Sequence, residues 1–120
     1  MKIVLAFLLS LLMAPMALAQ PTGPNGGILG GSGDHQTELV VTPTELTVYI
    51  IEHGKAHSTK GTSLRAVVQQ GGKSTTVPLA DVEGKKLVGK LDAPLAAGAI
   101  VVVTGKDDHG AVLTGRFTIK

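Results

Sequence analysis

Cysteine is absent from this sequence, which excludes disulfide bonds and any thiolate metal ligand. The three methionines all lie within the first 19 residues, so the chain from residue 20 onward contains no sulfur at all. Aromatic residues are also scarce, with only Tyr49 and Phe117 beyond residue 20. We therefore expect a core built from Val, Leu, Ile and Ala, stabilised by packing alone.

Long apolar runs are absent beyond the amino terminus. There, Lys2 is followed by an apolar stretch at residues 3–13, and Ala17-Leu18-Ala19 precedes Gln20. A basic start, a short apolar centre and an A-x-A site are typical of a cleaved secretory signal peptide at residues 1–19. We therefore expect a secreted protein with no membrane insertion after signal cleavage.

An excess of charge of either sign is lacking as well. Without Lys2, ten basic residues stand against nine acidic ones, and the lysines are scattered without interleaved aromatics. This distribution excludes the basic, aromatic-rich surface of a nucleic-acid-binding protein.

The remaining residues show the period-two alternation of half-buried strands and no convincing helix. Examples are residues 37–41 and 46–50, which flank Thr42-Pro43-Thr44. About seven short strands separated by frequent turn signals predict an all-β fold, a single antiparallel β-sandwich of immunoglobulin-like size. We assign residues 20–33 to a Gly/Pro-rich amino-terminal arm and residues 34–120 to the sandwich.

One run differs from this alternation, because residues 99–104 are almost continuously β-branched. Such a run is typical of a strand that is buried on both faces or lies at the centre of a sandwich. On this interpretation, Val102→Asp is expected to unfold the protein.

Candidate ligands for a metal ion are four histidines in predicted turns and loops: His35, His53, His57 and His109. His35 is the most site-like, because Asp34 precedes it and Glu38 follows three residues later at the start of a strand. His53 and His57 are further candidates. His109 is most simply a β-turn residue at a hairpin tip. A loop histidine in a soluble protein can equally be a solvated surface residue with no ligand.

Imidazole and carboxylate donors without sulfur are suited to Cu(II), Zn(II) or Ni(II). The sequence therefore predicts a divalent transition-metal site formed by His35 with Asp34 or Glu38, to which His53 or His57 contributes.

Several motifs together resemble a group of small exported bacterial proteins. They are Gly23-Pro24-Asn25-Gly26-Gly27, Gly33-Asp34-His35-x-x-Glu38-Leu39, Leu46-Thr47-Val48-Tyr49-Ile50, Gly54-Lys55 and the closing Gly115-Arg116-Phe117. That group is similar to the amino-terminal β-domain of periplasmic adaptor subunits from heavy-metal efflux pumps. The resemblance implies a periplasmic β-sandwich involved in metal handling, with a metal-efflux adaptor or another envelope protein as its partner. Histidine often stands in that group where this chain has Asn25.

Two functional hypotheses follow. The first is a periplasmic accessory protein that binds or delivers a divalent transition metal in metal efflux or homeostasis. The second is a metal-free β-sandwich interaction module, which docks on an envelope partner through an edge strand or through the Gly-rich arm. An enzyme is not expected, because no nucleophile, base and orienting group can be assembled from these motifs.

Overall fold

The computed structural model describes residues 20–120, so the predicted signal peptide at residues 1–19 lies outside the described residues. The described chain forms ten strands and no helix. Their bounds are β1 Ile28–Ser32, β2 His35–Val41, β3 Glu45–Glu52, β4 Lys55–His57, β5 Ser63–Gln70, β6 Lys73–Pro78, β7 Ala80–Val82, β8 Lys86–Lys90, β9 Ile100–Lys106 and β10 Val112–Thr118.

The strands form two antiparallel sheets. One sheet has six strands in the order β1-β2-β3-β8-β7, with β4 pairing beside β3, and the other has four strands in the order β10-β9-β5-β6. If β1 and the short β4 are left aside and the remaining strands are lettered A, B, C, C′, D, E, F and G in chain order, the sheets have the orders A-B-E-D and G-F-C-C′. This is the arrangement of an immunoglobulin-like Greek-key sandwich. The predicted fold class is therefore confirmed.

The core lies between the two sheets and is almost entirely aliphatic. Alternate residues of each long strand point inward, as the period-two pattern predicts. Phe117 is fully buried and is the only aromatic side chain in the core. Its other members are Leu39, Leu46, Val48, Ile50, Leu64, Ala66, Val68, Val77, Leu87, Val101, Val103 and Leu113.

The three strands beyond the predicted seven come from segments that resemble turns in the sequence. β1 lies in the amino-terminal arm, pairs along its length with β2 and also forms an isolated bridge between Ile28 and Thr22. β4 and β7 contain three residues each and lie beside the glycines Gly54 and Gly84, in segments whose composition is typical of turns. Strands this short have too few residues to display alternation, so only pairing with a neighbour reveals them.

The burial expected for residues 99–104 is wrong in one respect. In β9, Val101 and Val103 are fully buried, whereas Val102 points to the outer face of the four-stranded sheet and is only half-buried. Within residues 20–120, no layer packs on that outer face, so the β-branched run reflects strand propensity rather than burial on both sides. Val102→Asp is therefore no longer expected to unfold the protein.

Val103→Asp should unfold the domain, because an unpaired carboxylate buried between the sheets costs several kcal/mol against a total stability of roughly 5 to 15 kcal/mol. Val102→Asp is the matched control and should leave a folded protein with a moderately lower denaturant midpoint. Urea titrations followed by far-UV circular dichroism would distinguish the two variants. Equal loss of stability in both would contradict the assigned faces of β9.

Candidate functional site

Two histidines share one carboxylate at an end of the sandwich. His35 begins β2, Glu52 ends β3 and His57 ends β4. The Nδ1 atom of His35 lies 3.1 Å from Oε1 of Glu52, and the Nδ1 atom of His57 lies 3.0 Å from Oε2. Each carboxylate oxygen therefore contacts a different imidazole. We refer to His35, Glu52 and His57 as the histidine cluster.

Strand pairing explains why these three side chains meet. His35 pairs with Glu52 across β2 and β3, and His57 pairs with Ile50 across β3 and β4. Ile50 belongs to the core, and Glu52 follows it by two residues, so Glu52 points toward the same face. The histidine cluster therefore continues the core-facing surface of the six-stranded sheet beyond the end of the core, where water reaches it.

A second contact of the same type is formed by the adjacent turns. The Nδ1 atom of His53 lies 3.6 Å from Oδ1 of Asp34, and both side chains are largely exposed. The backbone amide of His53 also donates to the carbonyl oxygen of Asp34 at 3.0 Å. This pair is long and solvated, so it contributes little to stability. Its position nevertheless brings two further predicted site residues to the same end of the sandwich.

His53 has an unusual backbone conformation, with φ of 51°, and Gly54 follows with φ of 77°. Two successive positive φ values are typical of a type I′ hairpin turn, where Asn or Gly would be the more favourable first residue. The turn therefore holds an imidazole at a position where the backbone of Asn or Gly would be less strained.

The loop between β9 and β10 reaches this end from the other sheet. Oδ1 of Asp107 accepts hydrogen bonds from the backbone amides of Ala111 at 2.8 Å and of His109 at 2.9 Å. The bond from Ala111 is the largest cause of a lowered pKa at Asp107, and the nearby imidazoles of His109 and His35 lower that pKa further. All four histidines thus lie in turns or strand ends at one end of the sandwich.

His109 lies at the tip of this loop, as its sequence position indicates. Its Nε2 atom is 3.7 Å from Oδ1 of Asp108, and its side chain is 81% exposed. It has no contact with the histidine cluster comparable to those of His35 and His57. His109 is therefore a suitable control position.

Glu38 takes no part in the histidine cluster. Its side chain is fully buried, and its carboxylate accepts hydrogen bonds from the arm instead. Oε2 accepts from the backbone amides of Gly27 at 2.7 Å and of Asn25 at 2.9 Å, and Oε1 accepts from Nδ2 of Asn25 at 3.0 Å. A fourth, longer contact of 3.2 Å joins the backbone amide of Asn25 to Oε1. A buried carboxylate needs such donors, and the arm provides them.

The three-residue spacing of His35 and Glu38 explains their separation. Along a strand, side chains an odd number of residues apart point to opposite faces. His35 shares the face of buried Leu39, whereas Glu38 lies on the outer face of the sheet beneath residues 23–27. There a Cβ atom at Gly23 would overlap the Glu38 side chain, so glycine is required for the arm to approach this closely.

Glu52 was not among the predicted ligands, although the hairpin contains the information that locates it. Val41 pairs with Leu46 beside the connecting loop, and the register continues without interruption to His35 and Glu52 at the far end. Counting outward from the loop would have placed Glu52 opposite His35. The contribution of His57 depends on β4, which was not predicted.

No group of three or more His, Cys, Asp or Glu side chains among residues 20–120 is arranged to hold a metal ion. The two imidazoles and Glu52 therefore do not form a closed coordination shell. In the same part of the chain, no helix is long and apolar enough to cross a membrane. Comparison with protein-family models, with curated proteins and with solved structures finds no match to this chain.

Glu38→Gln should destabilise the protein by about 2 kcal/mol, because the new amide group would face backbone N–H donors that currently have a carboxylate acceptor. Hydrogen exchange at the Asn25 and Gly27 amides should accelerate more than exchange in β9. Glu45→Gln is the matched control, since it removes one negative charge from the adjacent strand β3. Equal effects of the two substitutions on the urea midpoint would contradict a specific role for Glu38.

Proposed function

We propose that this protein is an exported accessory protein that binds or delivers a divalent transition metal, with His35 and His57 as its principal ligands. The observation that carries this proposal is the pair of contacts from both Nδ1 atoms to Glu52. In protein metal sites, a ligating histidine commonly donates its second ring nitrogen to a carboxylate, which fixes the tautomer and makes the imidazole a better donor. One carboxylate would serve both histidines here.

The chemistry of the donor set fits this role. With Nδ1 engaged by Glu52, the Nε2 atom of each imidazole keeps a lone pair available for a metal ion. Asp34 and His53 lie in the adjacent turns and would supply either further ligands of the metal ion or groups that hydrogen-bond to its ligands. Glu38 would not take part, because its carboxylate is occupied by the arm.

Affinity should be modest because the protein offers two imidazoles rather than a closed shell. Water would complete the coordination, and an ion held in this way exchanges readily. Such exchange suits delivery to another protein better than storage. The absence of sulfur from residues 20–120 directs selectivity toward Cu(II), Ni(II) or Zn(II), with Cu(II) bound tightest by the general order of divalent affinities.

The periplasmic location belongs to the same proposal. It is supported by the signal-peptide pattern of residues 1–19 and by the resemblance to the β-domain of heavy-metal efflux adaptors. A metal-efflux adaptor or another envelope protein is the proposed recipient of the ion. Weak, open coordination is what transfer to such a recipient requires.

The alternative function, a metal-free interaction module, would use the arm or an edge strand as its docking element. The arm is engaged by Glu38, and the free edge of β10 is partly occupied by the side chain of Gln20. Its Nε2 atom donates to the carbonyl oxygen of Arg116 at 2.9 Å, and its Oε1 atom accepts from the amide of Thr118 at 3.0 Å. The arm and the edge of β10 thus already have partners within the chain, which leaves the largely exposed edge strand β6 as the docking element of this alternative.

Calorimetric titration of residues 20–120 with Cu(II), Ni(II) and Zn(II) tests the proposal. His35→Ala and His57→Ala should each abolish most of the binding heat, whereas His109→Ala should leave it nearly unchanged. Glu52→Gln should weaken binding by about tenfold, as is typical when an outer carboxylate is removed. Affinity should also fall on acidification, because protons compete with the metal for imidazole nitrogen.

Equal loss of heat from His35→Ala and His109→Ala would indicate nonspecific surface coordination. No heat with any of the three metals at neutral pH would favour the interaction module instead.

A further inference from the structure

The four-stranded sheet carries only positive charge. Strands β5, β6, β9 and β10 contain no Asp or Glu on either face, whereas the six-stranded sheet carries carboxylates at Glu38, Glu45, Glu52 and Asp81. The only two arginines in the sequence, Arg65 and Arg116, both lie in the four-stranded sheet. The strand carboxylates are therefore confined to the six-stranded sheet, which also carries Lys55, Lys86 and Lys90, whereas the strands of the four-stranded sheet carry cations alone.

Both arginines point away from the core. Arg65 alternates with buried Leu64 and Ala66, and Arg116 lies between buried Gly115 and Phe117. Both are exposed, and within residues 20–120 neither guanidinium forms an ion pair or a hydrogen bond with another side chain. We call the outer surface formed by Arg65, Val67, Val102, Thr104, Thr114 and Arg116 the arginine face.

The register fixes the spacing of the two guanidinium groups. Arg65 pairs with Thr104, which pairs with Thr114, and Arg116 is two residues further along β10. Two strand spacings and a two-residue step separate the two Cα atoms by about 12 Å. Half-buried Val67 and Val102 pair with each other in the row that ends at Arg116, so an apolar strip runs between the two cations.

We propose that the arginine face docks an acidic patch on a partner protein, in which two carboxylates pair with Arg65 and Arg116. A planar guanidinium binds a carboxylate through two parallel hydrogen bonds, which gives the pair both strength and direction. The apolar strip would be covered by the partner between these pairs. Arg is also a residue type enriched at protein interfaces, whereas Lys is depleted.

The composition of the face favours a protein partner over other polyanions. Nucleic-acid surfaces combine many cations with stacking aromatics, and the four strands contain one aromatic residue, the buried Phe117. Anionic membranes are recognised by clusters of about four to eight Lys or Arg residues. A protein surface can be bound by fewer cations, provided that each one faces a carboxylate in a defined direction. Two arginines about 12 Å apart beside a valine strip meet this requirement.

The arginine face is distinct from the histidine cluster, so an absence of peptide binding would be distinguishable from an absence of metal binding. The probe is a 12-residue peptide of alternating Glu and Val, titrated into isotopically labelled protein and followed by amide chemical shifts. Changes should be confined to β5, β9 and β10, and affinity should fall with added salt.

Arg65→Gln with Arg116→Gln should weaken peptide binding by roughly tenfold, and Arg65→Lys with Arg116→Lys should weaken it by a similar factor although it preserves the charge. The matched control is Lys85→Gln with Lys90→Gln, which removes two exposed charges elsewhere and should change binding less than about twofold. A peptide with Gln in place of Glu should not bind.

Three results would overturn the proposal. The first is that the control pair Lys85→Gln with Lys90→Gln weakens binding as much as Arg65→Gln with Arg116→Gln, which would indicate an effect of net charge rather than a site. The second is equal or tighter arginine-dependent binding of phosphatidylglycerol vesicles or of a short DNA duplex. The third is arginine-dependent self-association in sedimentation, which would identify the acidic partner surface as a second copy of this chain.

Discussion

The register between β2 and β3 determines which of their side chains face the core, which face the arm and which meet in the histidine cluster. Pairing of Leu39 with Val48 places the aliphatic side chains of both strands in the core. The same register directs Glu38 to the outer face and brings His35 opposite Glu52. A shift of one residue would exchange the two faces, since side-chain direction alternates along a strand. The core, the attachment of the arm and the histidine cluster therefore depend on a single set of backbone pairings.

Polar contacts between distant parts of the chain hold the arm to the sandwich in the absence of disulfides. The Glu38 carboxylate fixes residues 23–27 to the sheet, and the Gln20 side chain pairs with the edge of β10. Because these bonds are few, loss of a single acceptor should release the arm locally without unfolding the sandwich. The arm and the core are thus expected to differ in stability.

The architecture could be predicted from the sequence because alternation and turn residues report directly on strands and hairpins. Seven of the longer strands and the aliphatic core follow from those patterns. Strands β4 and β7 could not be predicted, since three residues are too few to show a period. The face of Val102 was also not predictable, because a β-branched run has the same composition whether one side or both sides are covered.

The candidate site was predictable only in part, for reasons of the same kind. Spacing along the chain grouped His35 with Glu38, whereas pairing between strands groups it with Glu52. Residue types therefore indicated the chemistry, but the partners depended on a register that spacing within one strand does not contain. The confinement of the strand carboxylates to one sheet was likewise hidden, because the overall balance of Lys, Arg, Asp and Glu is nearly neutral.

The contact of Gln20 with Arg116 and Thr118 also has a consequence for how the domain is oriented when it is tethered. β10 runs from the loop beside the histidine cluster toward Thr118, so Gln20 and Thr118 lie together at the opposite end of the sandwich. A surface, a linker or a fused domain attached near either position would hold the molecule by that end. The imidazoles would then point away from the attachment and remain accessible to ions and proteins in solution.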